Sequence, residues 1–149
     1  MKTRILISIL ALVLASIFIP LPEPVQATAP EQLTINADLW LTGENSAAGT
    51  FGTSGLFSDG GAANQVFFSA GNTIHGVKTL EGANGTITIR FQAQSTWISP
   101  TTAIAEGRFV IVSGTGAYQD LHGVGETHAN IDLATYHITA TYTGVAHFD

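Results

Sequence analysis

Beyond residue 27, no stretch of this chain repeats its apolar residues at helical spacing, and several stretches repeat them at every second position. Leu33, Ile35, Ala37, Leu39 and Leu41 fall on one face of a single extended segment. Ile87, Ile89, Phe91 and Ala93 alternate with Thr86, Thr88, Arg90, Gln92 and Gln94. Tyr136, Ile138, Ala140 and Tyr142 alternate with His137, Thr139, Thr141 and Thr143. A period of two gives a strand one face to bury and one to wet. The threonines on the wet faces suit a pleated, half-buried surface.

Further strands are expected over Gln65–Ser69, Thr73–Leu80 and Phe109–Ser113, and a weaker one over Thr50–Phe57, where Gly52 and Gly55 interrupt. The turn Gly82-Ala-Asn-Gly85 joins two of them as a hairpin. Ser95–Ala105 contains Pro100 and is predicted to be a loop carrying Trp97. Seven or eight strands in one short domain predict an all-β sandwich or small barrel. In the last hairpin, a turn at Asp132–Thr135 would set Asn130 opposite His137, His128 opposite Thr139 and Glu126 opposite Thr141. That register puts both polar faces together and both apolar faces together, which a slip of one residue would destroy.

The first 27 residues read differently. Lys2 and Arg4 precede an apolar run, Ile5–Ile19, too short to span a bilayer comfortably, and Pro20, Pro22 and Pro24 follow. Val25-Gln26-Ala27 offers the small residue that signal peptidase requires, so residues 1–27 are expected to be a signal peptide cleaved after Ala27. An uncleaved N-terminal anchor is the competing reading. The single domain would then cover 28–149, outside the cell or in a periplasm, with no membrane association after cleavage.

That domain holds three basic residues (Lys78, Arg90, Arg108) against ten acidic ones, so a nucleic-acid partner is not expected. There is no cysteine, so an oxidising compartment adds no disulfide and the core must supply the stability. All sixteen glycines lie in it.

Five of the glycines fall in one distinctive stretch, Gly107–Gly125, GRFVIVSGTGAYQDLHGVG. An apolar strand ends in Ser113-Gly-Thr-Gly116, Tyr118 follows, and a second turn leads to Gly123 and Gly125. With Asn84–Ile89 and the ending Tyr142–Phe148, this stretch resembles the allene oxide cyclase-like and dirigent-like β-barrels. The similarity covers roughly residues 82–149. It implies a single antiparallel barrel of about eight strands with a small apolar cavity, and a homotrimer. It carries over no catalytic residue, because the matched positions are turn glycines and wall residues. A fold alone assigns no activity.

The polar residues offer few groupings that could carry chemistry. In the hairpin register above, His128 and His137 are diagonal neighbours, and Glu126 and His122 continue their face. Imidazole and carboxylate suit zinc or copper, so these four are the weak candidates for a metal site, against an exposed polar wall as the plainer reading. Ser113-Gly114 lacks the preceding Gly-x of a nucleophile elbow, and Gly114-x-Gly116 lacks the lysine of a phosphate loop. Glu81 with Glu106, or Asp120 with Glu126, would suit acid–base work only if buried together. No metal and no cofactor is expected.

The aromatic residues give the better lead. Phe91, Phe109, Tyr136 and Tyr142 fall on apolar faces that also carry small residues such as Ala93, Ala140 and Gly144. A barrel wall mixing rings with small residues leaves room for a small apolar ligand, and these four are the expected ligand-binding residues. Two other roles stay open. One is a cyclase-like or dirigent-like enzyme holding an apolar substrate, with Glu106, Tyr136 and Tyr142 as candidates. The other is a surface-interaction or structural role using Trp40 and Trp97.

Overall fold

A computed structural model describes residues 28–149; the expected signal peptide lies outside them. The described chain is a closed barrel of eight antiparallel strands, each paired with its neighbours in sequence. The strands are β1 (Glu31–Gly43), β2 (Ser46–Gly55), β3 (Gly60–Ala70), β4 (Thr73–Gly82), β5 (Gly85–Trp97), β6 (Thr102–Gly114), β7 (Leu121–Asp132) and β8 (His137–Phe148). Pairing of β1 with β8, from Glu31↔Ala146 to Trp40↔His137, closes the cylinder and leaves no free edge.

The alternation decides which face turns inward. Leu33, Ile35 and Leu39 of β1, Ile87 and Ile89 of β5, and Ile138, Ala140 and Tyr142 of β8 are all buried in the interior. Outward positions of β1 and β8 carry Asn36, Asp38, Thr139 and Thr141. On these two strands the apolar face turns inward and the polar face outward. Among the described residues no helix is long and apolar enough to cross a membrane.

Three expectations are corrected. Ser95–Ala105 is not a loop: β5 runs to Trp97, β6 begins at Thr102, and only four residues join them. Pro100 breaks the chain just there, and the pairing Ser95↔Ala105 to Trp97↔Ala103 extends the hairpin on both sides of it. The weak strand over Thr50–Phe57 is β2, shifted toward Ser46, and its inward face is built from Ala47, Gly49 and Phe51. In the last hairpin, His128 lies opposite Thr141, Asn130 opposite Thr139 and Asp132 opposite His137, two residues away from the expected register. The turn is Leu133–Tyr136, and Tyr136 takes a positive φ of 59° at its end. A shift of two keeps every side chain on its face, so the face pattern cannot distinguish the two registers.

The two ends of the barrel differ. At one end, the turn after β6 is a single 3-10 turn, Gly116–Tyr118, that folds Tyr118 under the barrel. Gly116 has φ 61°, and a side chain on it would meet the backbone of the β4–β5 turn at Asn84. The Tyr118 hydroxyl donates to Asp59 Oδ2 at 2.5 Å, and the ring packs against Phe57 at 4.8 Å between centroids. Asp59 also accepts from the backbone N–H groups of Gly60, Ala83 and Asn84. One carboxylate therefore ties together three connections: β2–β3, β4–β5 and β6–β7.

These bonds, the Tyr118 hydroxyl first, hold the Asp59 carboxyl down at about 2. Burial first, and then Asp59, push the Tyr118 phenol up to about 12. A depressed carboxyl stabilises the fold above its unfolded value of 3.8, and that contribution is lost as pH falls toward 2. Replacing Tyr118 with Phe is expected to lower stability by about 1 kcal/mol. It should also flatten the fall in stability between pH 4 and pH 2, measured by denaturant unfolding across that range.

Candidate functional site

The opposite end of the barrel is open. There the inward positions carry Ala93 on β5, Ala103 and Ala105 on β6, Ala129 on β7 and Ala140 on β8. Small residues on neighbouring strands leave space that larger ones would fill. The result is a cavity of about 260 Å³. Leu41, Trp97 and Leu133 stand among its lining residues near the strand ends, and Glu44 adds a carboxylate from the β1–β2 turn. Phe67, Ile74 and Phe91 form part of its wall, and Gln65, Thr127 and Tyr142 supply its deeper polar groups.

Three of the four expected ligand residues come together. The Tyr142 ring meets Phe109 edge-on at 5.4 Å and Phe91 at 6.3 Å. Phe91 and Tyr142 line the cavity, whereas Phe109 is buried in the core against Tyr142 and is not among the cavity's lining residues. Gly76, opposite Phe91, is what admits that ring, because a side chain there would come within 2.3 Å of it. Tyr136 is elsewhere: it is 62% exposed on the β7–β8 turn. Burial pushes the Tyr142 phenol upward against the opposing influence of Thr127, its partner across the sheet.

The polar constellations disperse over the outer wall. His122 stacks on His147 and reaches Asp149 at 2.9 Å. His128 contacts Glu106 at 3.3 Å. His137 pairs with Asp38 and stacks on Trp40. Glu126 lies opposite Thr143, with no second ligand residue beside it in the pairing. Among the described residues, no three His, Asp or Glu side chains are grouped to hold a metal ion. Glu81, Glu106, Asp120 and Glu126 are all exposed, so neither carboxylate pair is buried. Arg90 points outward, as its place on the polar face of β5 predicts.

The residue that sequence reasoning passed over is Lys78. It is fully buried inside the barrel. Its cross-strand partners are Gln65 on β3 and Ile89 on β5. Its Nζ lies 4.8 Å from the centroid of the Tyr142 ring and has no hydrogen-bond partner among the described residues. The signal was present: Ile74, Gly76, Lys78 and Leu80 share one face of β4, and Lys78 is the sole lysine beyond Lys2. A lysine in phase with the apolar residues of a strand must enter the core or break the pattern.

Desolvation brings the Lys78 amine down from 10.5 to about 7. The face of the Tyr142 ring offsets only part of that loss. No protein-family model, curated protein or solved structure matches this chain.

An amine depressed on folding binds fewer protons in the native state than in the unfolded one between about 7 and 10.5. Stability should therefore rise with pH across that window and carry the full penalty below it. Replacing Lys78 with Met should raise stability at neutral pH by a few kcal/mol and abolish the rise. Thermal unfolding of both proteins between pH 6 and pH 10.5 measures this.

Proposed function

We propose that this chain is an exported barrel protein, extracellular or periplasmic, that binds one small apolar molecule in the open end of its barrel without catalytic turnover. The observation that carries this reading is the 260 Å³ cavity with its alanine-rich wall. At about 30 Å³ for each water-sized group, it suits a ligand of roughly nine non-hydrogen atoms. The apolar wall supplies the affinity, and Gln65, Thr127 and Tyr142 orient any polar end. The resemblance to allene oxide cyclase-like and dirigent-like barrels agrees with a ligand held inside. The enzyme reading has less support, because Glu106 and Tyr136 both stand outside the cavity.

A second copy of the chain is the partner we infer for the outer wall. Val66, Val77, Arg90, Val110, Val124 and Val145 pair in succession across six neighbouring strands. The five valines in that row are between 37% and 60% exposed. A row of that kind is an apolar surface that a homo-oligomer would cover.

Octan-1-ol matches the cavity in size. Titrating it into the protein should give a saturable, one-site change in Trp97 fluorescence, because Trp97 lines the cavity and is 54% exposed. Ala105→Phe places a ring in the cavity and should remove at least about nine-tenths of the affinity, a loss near 1.4 kcal/mol. A titration with no saturation in the natural sequence contradicts the binding reading.

A further inference from the structure

We propose that Lys78, buried behind the cavity-lining Gln65 and Tyr142, captures a small apolar aldehyde as an imine. This rests on the binding reading above and names the chemical class of the ligand.

A lysine kept inside a barrel for structure alone is expected beside a carboxylate that pairs with it. Here the inward neighbours are Gln65, Ile89 and the Tyr142 ring, and no acid is among its contacts. Among the described residues the nitrogen is left with no acceptor for its hydrogens.

Two of those neighbours, Gln65 and Tyr142, also line the cavity. The amine therefore lies one side chain away from a space that a ligand of roughly nine non-hydrogen atoms would fill. Desolvation leaves about half of the amine neutral near pH 7, and a neutral amine is a nucleophile.

The chemistry fits the vacancy in hydrogen bonding. The Nζ lone pair attacks the carbonyl carbon of R–CHO and forms a C–N bond. The carbonyl oxygen takes up two protons, both originating on the amine, and leaves as water. The product, R–CH=N–Lys78, has no N–H bond left to satisfy. No oxidant or reductant is needed. The apolar cavity then excludes the water that would reverse the step. A carboxylic acid would be recognised differently, by ion pairing with a protonated amine, and would leave no covalent product.

Octanal with borohydride at neutral pH is the test, because the reductant fixes an imine as a stable secondary amine. The expected result is one octyl group per chain, mapped by peptide mass spectrometry to Lys78, the sole lysine beyond Lys2. Labelling should be about tenfold or more faster on the folded protein than in urea. Ala105→Phe, checked for folding by circular dichroism, should suppress it, and Lys78→Met should abolish it. Labelling confined to the terminal amine, or equal in the folded and unfolded chains, overturns the proposal. Octan-1-ol saturation without octanal labelling of Lys78 overturns the imine alone and leaves apolar binding intact. Failure of both probes removes both readings.

Discussion

The pairing of β1 with β8 is the constraint on which the rest depends. Ten successive residue pairs join the first strand to the last, from Glu31↔Ala146 to Trp40↔His137. Without them, two strand edges would present unpaired backbone groups, and Leu33, Ile35 and Leu39 would lose one side of their packing. Closure also fixes the width of the interior. An eight-stranded barrel is just wide enough for its own side chains to fill, so the choice of residue at each inward position becomes a choice between core and cavity. The end beneath Tyr118 is filled and clamped by Asp59. The other end is lined by alanines and stays open.

Lys78 sits between these two ends. An apolar residue of similar volume at that position would remove a desolvation penalty from the fold. The barrel tolerates the penalty because its other interior contacts are almost wholly apolar and its closed end is tied by several hydrogen bonds to one carboxylate. Stability drawn from the closed end thus allows an unpaired amine behind the lining of the open one.

Much of the architecture was legible in the sequence because it rests on a period of two. β1, β5 and β8 show unbroken alternation, and their faces point as expected. Elsewhere the pattern was present but diluted. The inward face of β2 carries Ala47 and Gly49, too small to stand out as apolar. The first half of β6 is interrupted by Gly107, whose lack of a side chain lets β5 approach closely at Gln92. The last hairpin shows a different limit: face parity excludes odd slips but not a shift of two, and the choice fell to the turn, where Tyr136 adopts a left-handed conformation. That turn carried Tyr136 out of the expected site. The site itself was half legible. Phe91 and Tyr142 were visible as rings on apolar faces, whereas Lys78 was hidden by the habit of reading lysine as surface.

The central claim is that one unpaired, desolvated amine lies inside the barrel beside an apolar cavity. The most direct measurement is an NMR titration of the lysine side chain in protein cleaved after Ala27, where Lys78 is the only lysine and gives a single resonance. The account predicts a midpoint near 7 in the folded protein, returning to about 10.5 in denaturant. A folded-state midpoint at 10 or above would mean that the amine is solvated or paired, and would contradict the account.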